Sequence, residues 1–318
     1  MRRCQQVICI ITLIVFHISG FCQEKKIIVK PYSIESTYEK LKKKYPFITP
    51  IKPIVSNKIK SKENIVYLKI GKTQLKADVY IPQSDDKKTF PTVLLIHGGA
   101  WNSGSKENER VMAQHLALNG FVSISISYRL SIEAHYPAAV LDIKSAIKWA
   151  RKNAKKYHID PDRLAILGAS SGAQLATLVG VTPNSAIYNN SSIFSDDVQA
   201  IINIDGIVSF IHPEAQESNS AGMWLGGLVD ENPKNWKEAS PLEYVNEKTP
   251  PTLFINSSQP RFHAGRDDMI TILNKYNIYN EIHTIPDTPH SFWLMHPWFE
   301  TTVNFTVSFL NKVLKNDN

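Results

Sequence analysis

Short apolar runs alternate along the chain with longer stretches of helical spacing. Residues 90–96 (Phe-Pro-Thr-Val-Leu-Leu-Ile) form a continuous apolar run, the pattern of a strand covered on both faces. Further strands are expected at 121–127, 164–167, 200–204, 251–256 and 281–285. Helices are expected at 107–118, ending at Asn119-Gly120, at 137–157, from Ala173 to at least Val179, at 267–276 and at 299–315. Two runs separated by Gly71-Lys72, 65–70 and 75–81, read as a β-hairpin. Strands alternating with helices across short loops predict an α/β fold, a mostly parallel sheet with helices on both faces. Residues 209–240, with turn residues and aromatic punctuation, read as an insertion or lid, and 182–197 as a polar loop.

The start of the chain breaks this rhythm. Arg2 and Arg3 precede an apolar run from Val7 to Phe16, and Ser19 and Gly20 lead into Cys22-Gln23. The run is too short to span a bilayer and a polar chain follows at once, so 1–22 is expected to be a cleaved export signal. A lipid anchor on Cys22 is the competing reading, disfavoured by bulky Phe21 before that cysteine. Export implies a periplasmic or secreted protein with no stable membrane insertion after cleavage. Residues 23–62, with Pro31, Pro46, Pro50 and Pro53, read as an N-terminal arm carrying one short helix at 36–44. The remainder, 63–318, is expected to be a single catalytic domain.

All three cysteines, Cys4, Cys9 and Cys22, fall in the leader, which removes disulfides and thiol catalysis from the mature chain. No cysteine or histidine cluster has zinc spacing, so no metal is expected. The formal charge of +7, lowered to +5 by loss of Arg2 and Arg3, is concentrated at 40–44 and 58–62. With no nucleic-acid motif beside these lysines, they read as a solvated basic surface, and no nucleic-acid partner is expected.

The chemistry centres on Gly168-Ala169-Ser170-Ser171-Gly172, which follows the 164–167 strand and opens a helix. Such a strand–turn–helix lifts the serine into a cleft at a helix N-terminus, where free N–H groups favour developing negative charge. The glycines are needed because strand and helix approach closely there. Upstream, His97-Gly98-Gly99-Ala100-Trp101 leaves the 90–96 strand, and the amides of Gly99, Ala100 and Ser171 are the candidate oxyanion donors. A base is also required. His290, in Pro289-His290-Ser291-Phe292-Trp293 just past the last strand, has the right order and position.

The acid is less defined. Chain order places it after the 252–256 strand, yet Ser257-Ser258-Gln259-Pro260 holds no carboxylate. Asp267 is the favoured candidate, followed by Asp268, with Asp205 and Asp287 as further options. Trp101, Arg261, Arg266 and Trp293 are candidates for contacting substrate.

These motifs, with Ser127-Tyr128-Arg129-Leu130, Tyr136-Pro137-Ala138, Asp142-Ile143-Lys144 and Ile159-Asp160-Pro161-Asp162-Arg163, resemble the α/β-hydrolase esterases. The likeness is greatest to exported bacterial carbohydrate esterases of the acetylxylan- and feruloyl-esterase type. It implies a Ser–His–acid triad without cofactor or metal, acting on acyl esters, most simply acetyl, of plant cell-wall polysaccharide. The segment Pro260-Arg261-Phe262-His263 and the missing acid depart from the family pattern. Pectin methyl ester is an alternative substrate, since Arg261 and Arg266 could face a uronate. A peptidase would bring a large additional domain for which this chain has no room. A non-catalytic glycan-binding homologue would fit the missing acid but not the intact Ser170, His290 and glycine turns.

Overall fold

The computed structural model describes residues 30–84, 88–188 and 192–315, so the leader expected at 1–22 lies outside the described residues. Eight strands form the central sheet: β1 (Ile59–Ile70), β2 (Thr73–Pro82), β3 (Phe90–Ile96), β4 (Val122–Ile126), β5 (Ile159–Ala169), β6 (Ala200–Ile204), β7 (Thr252–Asn256) and β8 (Asn280–Thr284). Their spatial order is β1-β2-β4-β3-β5-β6-β7-β8. β1 and β2 make an antiparallel hairpin, β2 pairs antiparallel with β4, and every other pairing is parallel. After β3 the chain moves outward to β4 and then crosses to β5 on the other side of β3. That reversal opens a crevice at the C-terminal ends of β3 and β5, the place where such sheets hold ligands.

The alternating side chains of each buried strand feed two cores. Leu94 and Ile96 of β3 and Leu164 and Ile166 of β5 face one layer of helices, α3 (Ala138–Lys152), α4 (Ser171–Val181) and α5 (Arg266–Lys275). Val93, Leu95, Ala165 and Leu167 face the opposite layer, α2 (Arg110–Leu118) and α6 (Trp298–Leu314). Period-two alternation with both sets apolar is why these strands read as continuous apolar runs.

The arm packs on the α2/α6 layer. Its helix α1 (Ile34–Leu41) is capped by Ser33 and Ser36, and Ile34, Ile48 and Ile51 are buried in that core. Thr49–Pro50 pairs antiparallel with Met295–His296, beyond His290. β1 begins at Ile59, within the segment assigned to the arm, because its early residues pair with the far end of β2.

The long helix expected at 137–157 is interrupted. α3 stops at Lys152, a single turn Ala154–Tyr157 follows, and His158 in the left-handed region (φ 58°) turns the chain into β5. Residues 209–240 fold as two short helices, Asn219–Leu225 and Pro233–Glu238, over the catalytic edge. Trp224 of that segment stacks on Trp101, with ring centroids 5.3 Å apart and planes 10° from parallel. Phe210 packs against both rings. The segment is thereby fused to the loop after β3 as a fixed cap. Among the described residues, no helix is long and apolar enough to cross a membrane.

Candidate active site

β5 ends at Ala169 and α4 begins at Ser171, leaving Ser170 as the whole turn. Its backbone sits at φ 55°, ψ −124°, a region that side chains other than glycine rarely adopt. The strain is held by close backbone packing on both sides. A Cβ on Gly168 would lie 2.0 Å from the Gly172 carbonyl oxygen, and one on Gly172 would lie 2.2 Å from the Ile96 carbonyl oxygen. The second contact brings the start of α4 against the end of β3, beside the His97–Trp101 loop.

That loop is itself tightly wound. Gly99, Ala100 and Trp101 all have positive φ, and the Gly99 carbonyl accepts from the amides of Asn102 (3.2 Å) and Ser103 (3.0 Å). The ladder of β3 ends before it, at Ile96. Ser171 is the first residue of α4, so its N–H has no carbonyl within the helix to meet. Together with Gly99 and Ala100 it remains the candidate oxyanion donor set.

His97 braces this turn. It is buried, its Nδ1–H donates to the Gly98 carbonyl (2.7 Å), and its ring stacks on Tyr128 at 4.4 Å. Tyr128 in turn donates to the His97 carbonyl (2.8 Å). Burial pushes the His97 imidazole down to about 4, so it is neutral near pH 7.

His290 reaches the serine from the loop after β8. Its Nε2 lies 2.8 Å from Ser170 Oγ, and its Nδ1 lies 2.7 Å from Asp205 Oδ2. A carboxylate only accepts, so Nδ1 carries the proton and Nε2 accepts from the serine hydroxyl. Asp205 is buried and fully bonded: Oδ1 accepts from the Ser257 amide (3.0 Å) and Oδ2 from the Ser257 hydroxyl (2.8 Å). A buried carboxylate bonded in this way orients the imidazole and stabilises it when it becomes charged.

The acid expected at Asp267 is thus corrected to Asp205. Asp267 lies in the first turn of α5, its side chain is 73% exposed, and it pairs with Arg266 (2.8 Å). That hydrogen bond to Arg266 holds its carboxyl below the usual range. Asp268 faces His212 (3.4 Å) and Asp287 is exposed. The position after β7 carries Ser257 instead of a carboxylate, and that serine hands its two donors to an acid supplied by the neighbouring strand end. The sequence held both halves of this signal, a gap at 257–260 and an aspartate directly after 200–204.

Two of the proposed substrate contacts are also corrected. Trp101 is 8% exposed, and its Nε1–H donates to Gln174 Oε1 (2.9 Å), so it ties the oxyanion loop to α4. Trp293 is 2% exposed and packs edge-on to His290 at 5.3 Å, supporting the imidazole. Arg266 is turned inward, donating to Asn256 Oδ1 (3.0 Å) as well as to Asp267. Arg261 alone of the four reaches solvent beside the site. Phe262, marked in the sequence only as part of the unusual 260–263 segment, lies parallel to the His290 ring with centroids 3.5 Å apart. Among the described residues no three His, Cys, Asp or Glu side chains cluster as metal ligands.

An eight-stranded, mostly parallel sheet with a strained serine at the β5–α4 turn, hydrogen-bonded to a histidine and through it to a buried aspartate, defines an α/β-hydrolase. The chain belongs to the BD-FAE family, whose model matches residues 77–269. That match holds Ser170, Asp205 and the Gly99, Ala100 and Ser171 amides, while His290 and Trp293 lie beyond it.

Esterase LipC of Mycobacterium tuberculosis is 31% identical over 203 residues, which are 61% of this chain and 49% of LipC. The chain thus spans about half the length of that curated relative. Among solved structures, a truncated carbohydrate esterase from gut microbiota superposes with a TM-score of 0.68 at 23% identity, covering 82% of this chain and 100% of that one. The bifunctional GH43-CE of Bacteroides eggerthii gives a TM-score of 0.68 at 25% identity, over 79% of this chain and 38% of its own.

Proposed function

We propose that this chain is an exported serine esterase that removes acyl groups, acetyl foremost, from plant cell-wall polysaccharide. The observation that carries the reading is the unbroken line Ser170–His290–Asp205, with contacts of 2.8 and 2.7 Å. His290 takes the hydroxyl proton as Ser170 attacks the ester carbonyl. The oxyanion forms against the amides of Gly99, Ala100 and Ser171, and the imidazolium is balanced by Asp205. His290 then protonates the departing alcohol. Water, activated by the same imidazole, attacks the acyl-enzyme and releases the acid. The names of relatives support ester hydrolysis (LipC) and a glycan substrate (the gut carbohydrate esterase). The basic and apolar pattern of residues 1–22 supports export, which would bring the enzyme to a polysaccharide that cannot enter the cell intact.

The experiment is release of acetate and methanol from acetylated xylan and from methylated pectin, with p-nitrophenyl acetate as a small ester. Acetate from xylan is expected, and Ser170→Ala should lower turnover by at least about 10³-fold. Methanol without acetate would redirect the substrate to methyl esters. Turnover by Ser170→Ala near the wild-type rate would sink the mechanism.

A further inference from the structure

Three side chains form a stack at the mouth of the site. The Phe262 ring lies 3.5 Å from the His290 ring, with planes 11° apart. The imidazole fills that face of the phenyl ring, leaving the other for the Arg261 guanidinium, whose carbon is 4.3 Å from the ring centre. Arg261 is exposed and donates to the uncharged amide oxygen of Gln216 (3.2 Å). Arg266, five residues on, is neutralised by Asp267. The cation left facing solvent beside His290 is therefore Arg261.

The position of this cation relative to the chemistry decides what it meets. His290 delivers its proton from Nε2 to the leaving alcohol, so the alcohol part of an ester must lie against the imidazole. The carbonyl oxygen lies on the other side, at the Gly99, Ala100 and Ser171 amides. Phe262 and the guanidinium beyond it consequently flank the leaving group and not the acyl group. On a glycan ester the leaving group is the sugar. A substituent on that sugar, or on the next one along, comes within reach of a guanidinium one ring-thickness past the imidazole. Phe262 lies under the guanidinium carbon and Gln216 accepts from one of its nitrogens, which leaves further N–H donors for a planar anion.

We propose that Arg261 binds a carboxylate carried by the sugar from which the acyl group is removed, so that the preferred substrate is an O-acyl ester on a uronate-bearing glycan. This rests on the esterase reading above and narrows it. It also differs from methyl-ester hydrolysis of a uronate, in which the carboxyl would be the acyl part and would lie at the amides.

The test compares acetylated xylo-oligosaccharides with and without a glucuronic acid branch, using the whole protein, with p-nitrophenyl acetate as a third ester. The wild type should prefer the branched oligosaccharide in kcat/KM by about three- to tenfold, the size expected of a partly exposed ion pair. Added salt should compress that ratio. Arg261→Gln should bring the ratio close to one through KM, and Arg261→Lys should restore part of it. A ratio equal in wild type and Arg261→Gln would overturn the proposal, as would a wild type that prefers the neutral oligosaccharide. No turnover of any of the three esters by the wild type would overturn the esterase reading and this proposal with it.

Discussion

Asp205 illustrates how single residues are assigned their work by their surroundings. It is buried, with three donors on its two oxygens, two from Ser257 and one from His290. Asp267 is solvated and bound to Arg266. Asp205→Asn removes the acceptor that keeps the proton on Nδ1, and kcat should fall by roughly 10³- to 10⁴-fold while the fold persists. Asp267→Asn, on the exposed first turn of α5, should leave turnover within about twofold. Side-by-side kcat measurements decide between them, and the reverse pattern would reinstate Asp267. The tryptophans make the same point in another way. A ring in a motif can meet substrate or core, and Trp101 and Trp293 meet core.

At the scale of elements, the decisive unit is β5–Ser170–α4. Every residue of α4 is buried, so the helix has no amphipathic signature, and it is fixed by contact with β3, β6 and the cap. Its glycines are set by distance. An alanine inside a helix normally stabilises by about 1 kcal/mol over glycine. At Gly172 its methyl would sit 2.2 Å from the Ile96 oxygen and 2.5 Å from the His97 oxygen, both backbone atoms that cannot swing aside. Gly172→Ala should therefore destabilise by about 2 kcal/mol or more, read as a lower melting temperature, and displace the oxyanion loop. Melting at or above the wild-type temperature with full activity would contradict this packing.

Across the whole molecule, the arm and the α2/α6 core pack together behind the His290 loop. Glu109, beside α2, has a buried carboxylate oxygen without a hydrogen-bond partner. Burial raises the Glu109 carboxyl to about 8 from an ordinary 4.5. The folded protein therefore keeps this proton where the unfolded chain has lost it. Its contribution to stability is full below about pH 4.5 and is lost as pH rises through about 8. His97, held down to about 4 against 6.5, acts in the opposite sense, and its contribution is lost as pH falls through about 4. Comparing Glu109→Gln with wild type isolates the first effect. The variant should gain melting temperature relative to wild type at pH 8 and much less at pH 5. An equal difference at both would show that Glu109 does not titrate in this window.

What could be read from the sequence alone was whatever local pattern dictates. The apolar runs at 90–96 and 200–204 coincide with β3 and β6, because strands covered on both faces must be apolar at every position. Ser170, His290 and the glycine turns were legible because close backbone approach and chain order leave a local trace. The choice of Asp205 among the four candidate aspartates was not, because it depends on which strand end lies across from His290, a distance between residues 85 positions apart. Nor were the burial of Trp101 and Trp293 or the seating of Phe262 on the imidazole. Each depends on which elements pack together around the catalytic edge, and contacts between distant segments exist only once the sheet has been assembled.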